Sequence, residues 1–305
     1  MKQGLILIAV LLILSTFFVA SRSTIPDPVQ LAPQESETGT EKVSAPVIPM
    51  ISIYPSIIYP GDPVFVTIHA SSSPTSVVFD KKSLRTFTYK DKIHAVIPVD
   101  FSEKILGHEV TVILQNGMVA TTSVTITPRE KIEKPLGIPE KLGGNTPEAG
   151  KALISNLAIE NLSLNSIKTA STALWTAPFA FPLSSVFVTD DYGYDRTTVG
   201  QTIIHKGTDF RATIGTEVKA MNSGVVEIAT KYTVYGNTVV IDHGLGVHTL
   251  YMHLSQIDVE KGDTVKVGDV IGLSGDSGYA DAAHLHISVK IGGVSIDPMT
   301  FLGFF

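Results

Sequence analysis

Cysteine is absent from all 305 residues. That removes disulfide staples, thiolate-bound zinc and thiol nucleophiles at once. A basic excess is also lacking: 23 Lys and Arg stand against 29 Asp and Glu, a formal charge of −6. The imbalance is local, because residues 177–305 hold 8 basic and 14 acidic side chains. An acidic C-terminal region without basic clusters argues against nucleic acid as a partner. No internal repeat signals a solenoid. Long apolar runs are missing too, save one from Gly4 to Ala20 (GLILIAVLLILSTFFVA), with Lys2 before it and Ser21-Arg22-Ser23 after it. A positive start and an apolar stretch of that length predict a signal peptide or N-terminal membrane anchor over residues 1–23. A membrane is then a partner, and the remainder of the chain is expected to lie outside the cytoplasm.

What is present falls into blocks. Residues 24–48 are rich in Pro, Ser, Thr and Glu without an aromatic, the composition of a solvated, disordered spacer. Residues 49–128 consist of short β-branched and aromatic runs punctuated by Pro-Gly-Asp, Ser-Ser-Pro and Asn-Gly. That spacing predicts an antiparallel sandwich of immunoglobulin-like size. Its His69, His94 and His108 have no partners at ligand spacing and read as structural. Residues 129–172 read as a linker and a helix. The charged, Pro/Gly-rich part is 129–145, and Thr146-Pro147-Glu148 supplies an N-cap, a proline at the first helical position and an acid in the first turn. The helix is expected to run to about Ala170 and to pack on or bridge the two β regions. Residues 173–305 are strand-rich again, with glycine turns near Gly224, Gly244 and Gly268.

This last block carries the chemistry. His205 and Asp209 stand in HKGTD, His253 in YMHLS, and His284 and His286 in HLHIS. His and Asp are the side chains that hold zinc when a catalytic site keeps one position open for water. Two imidazoles and a carboxylate meet that need, and two histidines remain for proton transfer, so hydrolysis is the leading reading. In a strand, residues two apart share a face about 6.6 Å apart, so His284 and His286 both reach one surface. Spacing alone does not say which of the two binds metal. Each fragment is weak by itself; together they are hard to explain as core packing, because such groups are rarely buried unless paired or metal-bound.

The stretch from about Phe179 to Leu302 resembles the lysostaphin/LytM-type zinc metallopeptidases. The likeness runs through HKGTDFRATIGTEVKAMNSGVV, GNTVVIDHGLGVHTLYMHLS, VKVGDVIGLSGDSG and HLHISV. It implies a mainly β fold, with an antiparallel sheet in the peptidase domain, one zinc ion per chain, and peptidoglycan peptides as substrate. By motif, His205, Asp209 and His286 become the zinc ligands, and His253 and His284 the catalytic histidines. Ala282-Ala283 and Ile287-Ser288 depart from the family's usual Gly-Pro and Phe-Glu, without removing a ligand. A silent cell-wall-binding or amidase-activating adaptor with the same fold is the competing reading. Hairpins resembling biotinyl carriers are also present, but Lys219 lacks the flanking methionines at a hairpin tip. His243 and His248 read as structural. Tyr192, Tyr194 and Arg196 precede the first ligand and are candidates for lining a cleft.

Overall fold

The structure is a computed structural model, and it describes residues 50–305 apart from 106 and 176. The expected signal or anchor (1–23) and spacer (24–48) lie outside the described residues. No helix among the described residues is long and apolar enough to cross a membrane.

Eight strands come first: β1 (Met50–Tyr54), β2 (Pro63–His69), β3 (Pro74–Phe79), β4 (Lys82–Ser83), β5 (Thr86–Tyr89), β6 (Lys92–Pro98), β7 (Gly107–Leu114) and β8 (Val119–Thr125). They form two four-stranded antiparallel sheets, ordered β1-β2-β6-β5 and β4-β3-β7-β8. Alternation along β7, GHEVTVIL, sends Val110, Val112 and Leu114 inward. There they meet Val64, Val66, Ala95 and Ile97 from the other sheet in one core.

The second β region is built on an eight-stranded sheet. Its path is β10 (Val188–Asp190), β13 (Thr208–Arg211), β21 (His284–Ile291), β17 (Val247–Leu254), β16 (Asn237–Asp242), β15 (Gly224–Lys231) and β19 (Thr264–Val265), with β22 (Val294–Ile296) beside β21. Around it lie β11 (Asp195–Thr198) paired with β12 (Gln201–Ile204), and a small sheet of β14 (Glu217–Lys219), β20 (Val270–Leu273) and β18 (Gln256–Ile257). The central strands β17 and β21 are buried almost end to end, which is why their sequences read as nearly continuous apolar and histidine runs.

Residues 129–145, expected as a linker, hold a strand, β9 (Glu133–Pro135), that pairs in parallel with β11. Arg129 binds Asp62 at 2.8 Å and Asp297 at 3.4 Å, joining the two β regions. An aromatic seam continues that junction: Phe65 stacks on Phe304 with centroids 3.8 Å apart, and the Tyr89 hydroxyl donates to the Phe305 carbonyl. Helix α1 (Pro147–Asn165) begins as its residues predict, Thr146 accepting from the Ala149 amide. It stops short of Ala170, because Ser166 turns its amide and hydroxyl back to the Ser163 carbonyl. A second helix, α2 (Pro298–Phe304), is capped by Asp297 and closes the seam.

Candidate metal centre

Three strands of the large sheet bring four residues together, Asp209, His253, His284 and His286, and a loop adds the fifth. Asp209 on β13 lies opposite His286 on β21, and His286 lies opposite Met252 on β17. His205 follows β12 and enters from the side. Gly207, between His205 and Asp209, has no substitute: a Cβ there would sit 2.3 Å from His286 Nε2 and 2.5 Å from the Ile287 carbonyl. His205, Asp209 and His286 offer ligand atoms that all lie within 4.8 Å of one another.

The hydrogen-bond partners assign the tautomers. His205 Nδ1 faces the Asp191 carbonyl at 2.8 Å, so it carries the proton and Nε2 keeps a lone pair. Ser288 donates its one hydroxyl proton to the Lys206 carbonyl, so it accepts from His286 Nε2, 2.9 Å away. That leaves a lone pair on His286 Nδ1. These two lone pairs and Asp209 Oδ1 form a triangle with edges of 3.0, 3.2 and 2.7 Å and no proton along any edge in the neutral rings. Three acceptors at such distances repel unless a cation sits among them. A tetrahedral ion with bonds of about 2.0–2.1 Å spaces its ligands roughly 3.3 Å apart, so the triangle fits one face of zinc.

Electrostatics agrees with that arrangement. Burial pushes the Asp209 carboxyl up, but positive charge and hydrogen bonds from His205 and His286 in their protonated forms outweigh it and hold the group well below the usual carboxylate range, so the carboxylate calls for positive charge at this point. Burial lowers His286 to about 4 against the pull of Asp209, which keeps the ring neutral and able to bind metal. The other oxygen, Asp209 Oδ2, takes a hydrogen bond from Arg196, whose same nitrogen reaches Asp190 at 2.9 Å. Asp190 in turn is held by Lys134 of β9 at 2.5 Å. Arg196, one of the residues singled out in the sequence, therefore orients the Asp209 carboxylate as well as lining a cavity.

His284 and His253 flank the triangle. His284 Nδ1 donates to the Ala282 carbonyl at 2.8 Å. Its Nε2 is buried without a hydrogen-bond partner among the described residues, 3.7 Å from Asp209 Oδ1. His253 Nδ1 donates to the Ser277 carbonyl at 2.8 Å, and its ring lies 4.9 Å from that of His284. Burial, then the neighbouring His284 and His286, lower His253 to about 3. Its backbone has φ of 61°, left-handed for a non-glycine residue, and strain of that kind gathers at functional sites.

A cavity of about 610 Å³ is lined by His205, His253, His286 and Arg196 and, from helix α1, by Leu153, Leu157 and Asn161. A second cavity, of about 440 Å³, lies at the aromatic seam and contains none of the five residues. The remaining sequence candidates separate cleanly. Tyr192 is buried, its hydroxyl on the Ser295 carbonyl, and Tyr194 bonds Asp191. His243 spans the Ser223 carbonyl and Thr249, and His248 faces the Lys168 carbonyl. Sequence reasoning misses Ser288, although its place two residues after His286 on a strand puts it on the same face.

Residues 203–298 match the profile of peptidase family M23. This part of the chain belongs to that family. Lysostaphin of Staphylococcus staphylolyticus is 43% identical over 118 residues, covering 36% of this chain and 25% of its own length. The peptidoglycan DD-endopeptidase ShyA of Vibrio cholerae is 43% identical over 95 residues, covering 31% and 22%. The chain thus spans about a quarter of these curated relatives. A solved structure from Pseudomonas aeruginosa assigned to peptidase M23 aligns with a TM-score of 0.53 at 25% identity, over 81% of this chain and 95% of that one. The M23 region and most of the rest of the described chain thus share one architecture with that protein.

Proposed function

We propose that this chain is a zinc-dependent endopeptidase that hydrolyses peptide cross-links or stem peptides of peptidoglycan outside the cytoplasm. The observation that carries the reading is the triangle of three proton-free acceptors contributed by His205, Asp209 and His286. Zinc bound there supplies a Lewis acid that lowers the pKa of water towards about 7 and polarises a carbonyl. His253 and His284 do the proton work in this reading. Both point Nδ1–H at carbonyls, so both present Nε2 lone pairs, His284 Nε2 lying beside the triangle. A neutral imidazole so placed takes a proton from water and returns it to the leaving amine. Arg196 holds Asp209 in register for binding.

The same reading takes the two-sheet region, 49–128, as an immunoglobulin-like sandwich, the peptidase as starting near 173, and the apolar run at 4–20 as a signal or anchor. Zinc content and turnover on purified cell wall, measured on one preparation, test it. One zinc per chain with chelator-sensitive release of peptide supports an enzyme; bound zinc without turnover leaves a silent adaptor.

A further inference from the structure

Helix α1 covers the same sheet face as the metal centre. Cross-strand register sets Met252 beside His286 and Leu250 beside Ser288, so these four side chains share one face, with Lys290 farther along β21. Leu164 of α1 packs on Leu250, Met252 and Val240, while Leu153 packs on Val234 and Tyr279. The helix therefore lies over the apolar floor that runs on from the catalytic histidines.

Its polar contacts are unusual for a packing helix. Glu160 is 5% exposed, and among the described residues it has no cationic partner. Its carboxylate instead accepts from three consecutive backbone amides: Thr233 at 2.7 Å, Val234 at 2.9 Å and Tyr235 at 3.1 Å. Successive amides converging on one point form an anion-binding concavity. This one borders the catalytic group, since the His253 amide donates to the Tyr235 carbonyl at 3.0 Å. Asn161 accepts from the Tyr235 hydroxyl at 3.0 Å. At the end of the helix, Asn165 offers its side-chain oxygen to the buried Lys290 ammonium at 2.8 Å. Lys290 makes no ion pair among the described residues, so a neutral amide is all that answers its charge. The two anchors are five steps apart along the helix, roughly 7.5 Å of axial rise. The outer face of α1 leaves Ile159 at 63% and Leu162 at 72% exposure, so the helix is not apolar on its inner side alone. Gly143 and Gly144, both at positive φ, precede it and give it a pivot.

We propose that the amides of residues 233–235 and the Lys290 ammonium are two anion subsites of the substrate groove, built for a peptide bearing free carboxylates. In this structure α1 fills them in cis, through Glu160 and Asn165, and an acidic peptide takes the groove by displacing the helix. The proposal rests on the peptidase reading for its substrate, and on the geometry of α1 for everything else.

Two measurements on the full chain test it. In metal-stripped protein, where the peptide is not cut, hydrogen exchange over 147–165 should rise several-fold when an acidic stem tetrapeptide is added at millimolar concentration. It should not rise with the same peptide amidated at its carboxylates. In zinc-loaded protein, Glu160→Gln keeps an acceptor but gives up the charge-assisted bonds, which are about twice as strong as neutral ones. KM for the acidic peptide should fall about 3- to 10-fold with kcat unchanged, while Lys290→Met raises KM for the acidic peptide and not for the amidated one. Unchanged exchange, or a Glu160→Gln chain that loses thermal stability with KM unaltered, overturns the proposal and leaves Glu160 as a staple. A rise in exchange without hydrolysis by any zinc-loaded chain keeps the subsites and removes the peptidase reading.

Discussion

The chain places histidines in two β regions under different rules. In the first region His94 is 4% exposed, yet both its nitrogens are answered, Nδ1 by the Thr67 hydroxyl and Nε2 by the Tyr89 carbonyl. His108 is likewise held between Asp80 and the Lys104 carbonyl. In the second region His205, His253, His284 and His286 each spend one nitrogen on a protein acceptor and leave the other aimed at the same small volume. Burial is similar in the two sets except at the half-buried His284; what differs is polar satisfaction. A satisfied buried imidazole is structural, and a group of half-satisfied imidazoles that converge asks for a cation and a substrate.

The largest effects should come from breaking the triangle. His286→Ala should lose zinc and about 10³-fold or more of the activity on cell wall, as should His205→Ala and Asp209→Ala. His253→Ala and His284→Ala should keep zinc and lose about 10²-fold, the range for a positioned acid–base group. Metal analysis beside turnover separates the two classes. Wild-type hydrolysis by His253→Ala would end the assignment of that residue as a proton carrier. His94→Ala, by contrast, should alter stability alone.

Much of this is legible in the amino-acid sequence. The five candidate residues stand in short motifs because strand periodicity ties His284 and His286 to one face, and HKGTD needs its glycine for close approach. The β character of both regions follows from alternation as plain as that of GHEVTVIL. The support around the site is not legible. Lys134 and Arg196 meet Asp190 through a parallel pairing of β9 with β11, and a three-residue charged strand inside a Pro-rich stretch carries no periodic signal. The seat of α1 is hidden for a similar reason, since Glu160 is answered by backbone amides that have no side-chain signature.

That hidden support makes the next prediction. Arg196→Ala frees Asp209 Oδ2 and should weaken zinc binding about 10- to 100-fold in a chelator competition, the usual cost of losing a group that orients a ligand. Arg196→Lys should recover only part, because an ammonium lacks the planar fork that serves two carboxylates. Equal zinc affinity in all three chains would show that the carboxylate is oriented by His205 and His286 alone.

His243 tests whether satisfaction rather than region decides the role. It lies in the second region, fully buried and bonded at both nitrogens, and burial lowers it to about 4. The unfolded chain titrates this ring near 6.5, so below that pH it binds a proton that the folded chain refuses. Stability should therefore rise with pH between about 4 and 6.5 and be lost on acidification, with about 3 kcal/mol at stake in this one group. Urea unfolding of metal-free wild type and His243→Gln at pH 6.5 and 4.5 isolates it. The pH slope should be shallower in the variant, and zinc affinity at pH 7 should match wild type.

The smallest effect belongs to His248. It sits on β17 between Val247 and Thr249, five residues before His253, and an odd separation along a strand would set the two on opposite faces. The left-handed backbone at His253 disturbs that alternation, so periodicity alone does not settle where His248 points. Its contacts do: Nε2 lies 3.2 Å from the Lys168 carbonyl and 3.5 Å from Asp242, and among the described residues it has no hydrogen bond or ion pair to the triangle. His248→Ala should cost about 1 kcal/mol through the lost hydrogen bond and leave turnover within about twofold. A tenfold fall in kcat with stability unchanged would show that the ring reaches substrate, and would mean that a nearly satisfied imidazole can still belong to the groove.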